Sequence, residues 1–338
     1  MRMTTYVARR LLLLIPVLLG VSVFVFALTR LAGNPAAAYI NEKMTDQQIQ
    51  LVYVKYHFNA PIWDQYYYWL SGLFQFDWGY SKVANMPVTQ AIGTYFPATF
   101  ELTLVSMIIA LVIGIYVGTL SAVRKDKLVD HAIRIVTLSG VALPIFWLGL
   151  LLQLVFYQTL HLLPATGMIS DKYIISGYPH ATGFLLFDSL AAGNLTIFWD
   201  ELLHIILPAV TLAFGTIAFI ARIMRSSMLE VMNQDYIRTA RAKGLPDRVV
   251  IKKHARRNAL IPTTTVVGLS FGGLLGGAVL TESIFAWPGL GLWSAKAILN
   301  NDTASILGFV IVIAIIYVLT NLIVDLLYAY LDPRVRLE

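Results

Sequence analysis

Residues 235–245 read DYIRTARAKGL, a short polar and basic stretch that lies between two long apolar segments. It belongs to a loop, 222–257, that carries ten lysine and arginine residues. Cations concentrated beside membrane-length apolar segments are typical of loops that stay in the cytoplasm. The stretch therefore indicates a membrane protein that keeps a basic loop in the cytoplasm, where the loop can hold another molecule.

The composition is that of a chain whose main solvent is lipid. Hydrophobic residues make up 58% of the 338 residues and charged residues 13%, whereas about a quarter of a soluble domain is charged. The absence of cysteine excludes disulfides, thiolate metal sites and cysteine catalysis. The isoelectric point of about 9.4 comes from cations beside apolar segments, so it does not indicate nucleic-acid binding. We therefore predict an all-α membrane protein.

Six segments are apolar and long enough to span a bilayer, which takes about 20 residues each. They are residues 11–28, 102–123, 135–160, 202–224, 259–280 and 306–330. Prolines fall inside or at the ends of four of them, and membrane helices tolerate such prolines. These are Pro16, Pro144, Pro208 and Pro262. The first segment follows two arginines but is longer than a signal-peptide core, so we expect an uncleaved anchor.

The distribution of positive charge predicts the orientation. Nineteen of the 25 lysine and arginine residues lie on one side of the predicted spans. They fall at the two termini, in the loop between the second and third apolar segments, and in the loop between the fourth and fifth. Loops rich in these residues remain in the cytoplasm. We therefore predict a multi-pass protein of the cytoplasmic membrane with both termini inside.

The two largest loops on the predicted extracytoplasmic side differ in composition. The first, 31–97, contains an aromatic-rich segment at 61–70. Amphipathic aromatic residues favour the membrane interface, so this segment lies on the outer leaflet, docks an external partner, or does both. The second, 164–201, has little periodicity and is expected to form an irregular cap.

The basic loop has the signals of a short helix. Asp235 can cap the helix by accepting from free N–H groups. Tyr236, Thr239, Ala240 and Lys243 recur at three- and four-residue spacing and share a face.

The end of this helix is marked as well. Gly244 permits the left-handed conformation that ends a helix, and Pro246 prevents continuation. A second helix, about 248–257, would lead back to the membrane. The small Ala240 and Ala242 beside Gly244 make a surface that another protein can approach closely.

This loop resembles the cytoplasmic coupling loop of binding-protein-dependent ABC importer permeases, most closely the B-type subunit of dipeptide and oligopeptide systems. Ala240, Gly244 and Leu260-Ile261-Pro262 fall on the family pattern, although its usual leading glutamate is absent and Thr239-Ala240 occupies that region. Four further stretches are similar to the same subfamily. They are FPATFEL at 96–102, TESIFAWPGLG at 281–291, NLIVDLLY at 321–328 and LDPR at 331–334.

The resemblance implies a type I ABC importer permease fold with six transmembrane helices. It implies a transport subunit for short peptides that works by alternating access, and not an enzyme. The implied partners are a second homologous permease, cytoplasmic ATPase subunits and an extracytoplasmic substrate-binding protein. The residues implied to contact the ATPase are Asp235, Tyr236, Thr239, Ala240, Ala242, Lys243, Gly244 and Leu245. No P-loop motif occurs in the chain, and we expect no cofactor or metal site.

The same reasoning divides the chain into three parts. Residues 1–97 would form the first transmembrane helix and an extracytoplasmic loop region. Residues 98–331 would form a five-helix permease core that includes the coupling loop at about 225–258. Residues 332–338 would be a cytoplasmic tail.

The fifth apolar segment is rich in glycines at four-residue spacing, which allows helices to approach closely. These are Gly268, Gly272, Gly273, Gly276 and Gly277. They serve either helix packing or the wall of a transport pathway. The same residues include a G-x-S-x-G pattern at 268–272, but it lacks the strand and histidine partner that a hydrolase needs.

Two acids lie within or near the apolar segments, Glu101 and Asp325. Intramembrane acids suggest function by default, but we expect structural pairing rather than a proton or cargo role. Alternatives for the whole chain are the same permease with oligosaccharide, nickel or haem as cargo, or a proton-coupled transporter. The latter predicts carboxylate relays and inverted repeats, which the sequence does not show.

Overall fold

The structure is built almost entirely of helices. The computed structural model describes residues 3–31, 34–40 and 44–331. Numbered along the chain, the helices are α1 (Met3–Leu31), α2 (Asp46–Lys55), α3 (Ile62–Phe74), α4 (Val88–Val123), α5 (Leu128–Ala142), α6 (Ile145–Leu152), α7 (Asp171–Ser176), α8 (Leu185–Ala191), α9 (Leu195–Met232), α10 (Asp235–Ala242), α11 (Asp247–Val249), α12 (Arg256–Ile284), α13 (Leu290–Leu299) and α14 (Thr303–Leu331). A 3₁₀ turn lies at Pro35–Ala38, and π-helical segments lie at Gln153–Thr159 and Val250–Ala255.

The number of spans agrees with the sequence. Helices α1, α4, α9 and α14 each contain a segment that is long and apolar enough to cross a membrane. Two bent helix pairs pass the same test as units: α5 with α6 and its π segment, and Asp247–Thr264 with Val266–Gly276, where a bend of 42° falls inside α12. Counting each pair as one span gives up to six in the described residues. The predicted all-α membrane fold is confirmed.

The third predicted span, 135–160, is not one straight helix, and this corrects the sequence interpretation. The pair α5 and α6 bends by 110°. The break falls at Leu143 and Pro144, because a residue that precedes proline is driven out of the helical region. Leu143 is extended, with ψ 131°, and Pro144 is the N-cap residue of α6.

The other prolines in the long helices do not interrupt them. Pro16, Pro97, Pro208 and Pro262 all lie inside continuous helices. Helix α4 begins at Val88, so it crosses the domain boundary that the sequence suggested at 97/98. The expected irregular cap at 164–201 also contains α7, α8 and the first turns of α9.

Helices α4 and α9 form the centre of the bundle, and they run parallel. The main core cluster places Leu102 of α4 with Ile205 and Leu212 of α9. Trp287, fully buried, closes this cluster at one end, and its indole N–H donates to the carbonyl of Ala98 at 2.8 Å. Helix α1 lies outside this centre and packs on α14 through Val25, Leu307 and Ile311.

The segment between α1 and α4 combines two short helices with a small hairpin. Strands β1 (Tyr80–Ser81) and β2 (Met86–Pro87) pair antiparallel. The aromatic-rich segment forms α3, which contacts α1 through a hydrogen bond of 2.7 Å between the Tyr66 and Ser22 hydroxyls. Trp63 and Tyr67 on the same helix remain 81% and 68% exposed. One side of α3 thus belongs to the fold, and the other side is open to the membrane interface or to a partner.

The glycines of α12 do not all face one neighbour. A Cβ atom at Gly268 would overlap the Val324 side chain of α14, and one at Gly272 would come within 2.9 Å of the Tyr317 ring. Gly273 and Gly276 have nothing within 4 Å of an added Cβ. Two glycines therefore allow α12 to pack on α14, and two lie on an open face. The surroundings of Gly277 are outside the described residues.

This division predicts opposite effects for two matched substitutions. Gly268→Ala should lower stability by about 1–3 kcal/mol, because the added methyl group overpacks against Val324. Gly273→Ala should leave stability unchanged or raise it by up to about 1 kcal/mol, because alanine favours the helix. Thermal unfolding in detergent measures both. Equal Tm values for the two variants would contradict the packing described here.

Candidate functional site

Helix α10 is attached to the bundle by two buried side chains. Ile237 is fully buried and Ala240 nearly so. They pack in a cluster with Met224 and Met228 of α9 and Val250 of the π segment. Residues three apart lie on one side of a helix, so this contact fixes which face of α10 points inward. We call this end of the bundle, at residues 124–127 and 233–246, the basic end.

The structure places Ala240 apart from the other predicted contact residues. Ala240 was expected to contact a partner, but it faces the chain's own core. Its small side chain lets α10 lie close to α9. The other seven predicted contact residues are exposed and form the surface that we call the α10 face. They are Asp235, Tyr236, Thr239, Ala242, Lys243, Gly244 and Leu245.

The start of α10 also differs from the prediction. Gln234 occupies the N-cap position, and no side chain makes a capping hydrogen bond there. Asp235 is instead the first helical residue, one position beyond the cap. Its carboxylate lies 3.4 Å from the Arg238 guanidinium, with both side chains exposed. An exposed pair of this kind adds little stability, although an acid in the first turn complements the helix dipole.

The end of α10 is as predicted. Gly244 has φ +74°, the left-handed conformation that glycine adopts without strain. Its N–H donates to the carbonyl of Arg241 at 2.9 Å, and the N–H of Leu245 donates to Ala240 at 3.4 Å. These two bonds form a Schellman motif, which satisfies carbonyls that the helix end would otherwise leave free. The turn therefore has one defined shape.

The chain then continues into the membrane without a break. Pro246 is the N-cap residue of α11, which passes through the π segment directly into α12. The predicted second helix at 248–257 is thus the beginning of the fifth span. Only the turn at residues 243–246 separates α10 from this helical path.

A buried ion pair that sequence reasoning missed braces the same end. Arg225 of α9 donates to both oxygens of Asp130 of α5, at 2.9 and 2.7 Å. The Asp130 side chain is fully buried, and it also accepts from the Ser121 hydroxyl of α4. The pair therefore joins three helices, α4, α5 and α9. The available signal was an acid within a basic loop, since Asp130 lies one helical turn from Arg134.

At the opposite end of the bundle, buried carboxylates accept hydrogen bonds and so connect separate segments of the chain. Glu101 accepts from the backbone N–H groups of Leu185 and Leu186, at 3.1 and 3.0 Å. Glu101 therefore has a structural role, as expected, although its donors are backbone groups and not a cation. The side chain of Asp325 lies outside the described residues.

Two of the stretches that carried the family resemblance meet at this end. The Thr99 hydroxyl donates to Glu282 at 2.6 Å, and the N–H of Leu292 donates to the same carboxylate at 3.0 Å. The N–H of Leu290 in turn donates to Thr99 at 2.7 Å. Residues 96–102 and 281–291 therefore form one buried joint between α4, α12 and α13.

A loop beside this joint is held in the same way. Asp188 accepts from the backbone N–H groups of Thr182 and Gly183 and from the Thr182 hydroxyl. Burial alone would raise the pKa of Asp188, but these hydrogen bonds outweigh burial and leave the pKa below its usual value. The carboxylate is therefore charged and fixes the turn that leads into α8.

Comparison with known proteins places this architecture in a family. Residues 110–337 match the family of binding-protein-dependent transport system inner membrane components, and residues 3–103 match the N-terminal region of such membrane components. The chain belongs to this family. It is a permease component of a transport system in the inner membrane and not an enzyme.

Individual relatives match over nearly their whole length. The chain is 44% identical to the dipeptide transport system permease protein DppB of Alkalihalophilus pseudofirmus, over 99% of this chain and 100% of that protein. It is 43% identical to the probable D,D-dipeptide transport system permease protein DdpB of Escherichia coli K12, over 95% and 94%. It is 38% identical to the oligopeptide transport system permease protein AppB of Bacillus subtilis 168, over 99% and 100%.

The ion pair at the basic end generates a direct test. Asp130→Asn should destabilise the protein by about 3–5 kcal/mol, because it leaves the Arg225 charge without its buried partner. Thermal unfolding of the purified protein measures the change. Asp126→Asn is the matched control, since Asp126 is exposed at the same end and asparagine tolerates its positive φ. A Tm for Asp130→Asn equal to that of the control would show that the pair does not brace the bundle.

Proposed function

We propose that this chain is one of two homologous permease subunits of an importer that moves dipeptides and other short peptides into the cytoplasm. The observation that carries the proposal is the match to three permeases named for dipeptide, D,D-dipeptide or oligopeptide transport, at 38–44% identity over almost the entire chain. Uptake of oligosaccharide, nickel or haem is an alternative outcome of the transport experiment below and is not proposed.

The α10 face would be the contact for a separate ATPase subunit. It projects from the basic end, it carries small residues at Ala242 and Gly244, and its shape is fixed by the buried anchors Ile237 and Ala240. When ATP closes an ATPase dimer, α10 would move with it. The uninterrupted path from α11 into α12 would carry that movement into the membrane, and the spans would rock between inward-open and outward-open states.

The open glycines of α12 fit a position on the transport pathway or against the second permease. Gly273 and Gly276 leave space where other residues would fill it. The glycines Gly268 and Gly272 serve the chain's own packing and are not part of this proposal. Alternating access requires a surface that a cargo or a moving partner can approach, and this face of α12 supplies one.

The orientation that we propose places both termini and the basic end in the cytoplasm, because they carry most of the positive charge. In this arrangement, residues 1–97 contribute α1 and an extracytoplasmic region that an external binding protein can reach. Residues 98–331 form the permease core, whose first helix extends back to Val88. Residues 332–338 would be a cytoplasmic tail, and they lie outside the described residues.

Reconstitution of the assembled importer in liposomes tests the function and the coupling site together. With its binding protein and ATP, the importer should take up labelled dipeptide and should not take up oligosaccharide, nickel or haem. Gly244→Val should abolish most peptide uptake and peptide-stimulated ATP hydrolysis, because a β-branched residue does not adopt a positive φ without strain.

Gly244→Asn is the matched control, since asparagine tolerates the left-handed conformation. It should retain uptake. If Gly244→Val takes up peptide and hydrolyses ATP normally, α10 is not the coupling site, and the cargo assignment is unaffected. Uptake of another cargo class in place of peptide would overturn the peptide assignment alone.

Cysteine labelling tests the orientation, and the chain has no native cysteine to interfere. Lys82→Cys and Lys172→Cys replace exposed residues at the proposed outer side, and Lys252→Cys replaces one in the basic loop. An impermeant maleimide added to intact cells should label the first two variants and leave the third unlabelled until the cells are opened. The reverse pattern would invert the topology.

A further inference from the structure

A cavity at the basic end has no role in the function proposed above. It has a volume of about 570 Å³ and lies between α5 and α9, with Ser121 of α4 at its inner wall. Three arginines line it: Arg134 from α5, and Arg222 and Arg225 from α9. The hydroxyls of Thr137 and Ser226 add polar groups. We call it the α5–α9 cavity.

The three arginines are not equivalent. Arg225 is fixed by its two hydrogen bonds to Asp130 and is 23% exposed. Arg134 and Arg222 are exposed. Neither pairs with a carboxylate among the described residues, and Arg222 lies over the Phe219 ring at 5.9 Å. The cavity therefore presents two uncompensated guanidinium groups, and planar guanidinium groups match the geometry of phosphate oxygens.

The remainder of the cavity is apolar and continues onto the outside of α5. Leu138 and Val141 line it and are 74% and 60% exposed. They follow Arg134 by one and two helical turns, so they lie deeper along the span than the charge. Val136, on the same helix, is exposed too. Arginines followed by apolar surface farther along α5 reproduce the order of headgroup and acyl chain in a bilayer.

We propose that the α5–α9 cavity binds the phosphate headgroup of an acidic phospholipid, with Arg134 and Arg222 as its ligands and the apolar side of α5 as the contact for its acyl chains. Basic pockets between transmembrane helices are recognised sites for anionic headgroups. A soluble anion would use the charges but not the apolar surface. The proposal requires only that the basic end lies at a membrane surface, so it is independent of cargo and of transport direction.

Lipid binding by the purified importer tests the proposal without any transport measurement. The assembled importer is placed in nanodiscs that contain phosphatidylcholine and phosphatidylglycerol. It is then released from the nanodiscs in the mass spectrometer, and native mass spectrometry counts the lipids that stay bound to it. The double variant Arg134→Gln/Arg222→Gln should hold phosphatidylglycerol about tenfold more weakly than the unmodified importer, because charge-assisted hydrogen bonds are lost. Phosphatidylcholine binding should not change.

Lys125→Gln is the matched control, because Lys125 is an exposed cation at the same end that does not line the cavity. It should retain phosphatidylglycerol as the unmodified importer does. Tm measured in detergent gives a second readout, in which phosphatidylglycerol should raise the Tm of the unmodified importer and not that of the double variant. An equal rise with inorganic phosphate would show a site for a free anion and would overturn the lipid assignment. Unchanged phosphatidylglycerol retention in the double variant would overturn the site itself.

Discussion

The hydrogen-bonding needs of the peptide backbone in lipid control this structure. Hydrocarbon offers no partner to an N–H or C=O group, so spans are helical and any departure from helix must be satisfied within the protein. The departure after α6 shows how this is done. The Gln153 side chain donates to the carbonyl of Ala165 at 2.9 Å, and the N–H of Gly167 donates to Phe285 at 2.8 Å. The C-terminal end of the third span and the loop that follows it are therefore held against the end of α12.

The same need explains the acids at the end opposite the basic loop. Glu101, Glu282 and Asp302 are all buried, and each accepts hydrogen bonds from backbone N–H groups of other segments. Carboxylates can accept several bonds at once. Each therefore ties a short connecting segment to a long helix, and none of the three needs a cation to be satisfied. These acids act as joints of the scaffold.

At the basic end, α10 has a fixed shape and is firmly attached to the rest of the bundle. The Schellman motif at Gly244 fixes the turn, and Ile237 and Ala240 fix the inward face of α10. The ion pair between Arg225 and Asp130 ties α9 to α5. A surface that responds to a moving partner gains from this construction, because flexibility in the turn would absorb the displacement before it reached α12. In the proposed coupling role, a small α10 face would therefore be enough to transmit force.

The sequence by itself determined the class of fold, the number of spans and the position of the basic loop. Hydropathy and charge vary over whole segments and need no knowledge of neighbours, so 11–28 and 306–330 were recognisable as spans. The helix end at Gly244 was equally local, because left-handed backbone is a property of the residue. What the sequence could not determine was which side of each helix faces inward. Ala240 fits a partner surface and a buried contact equally well, and the glycines of α12 share one spacing although they face different surroundings.

Only the tertiary structure decided these points, since each depends on residues distant in the chain. Asp130 gained its role from Arg225, and Gly268 from Val324. The 110° bend at Leu143 and Pro144 likewise required the packing of α6 against α9 and α12, because proline permits a break without setting its angle. Local chemistry determines where helices begin and end, and long-range packing determines what each of their faces contacts.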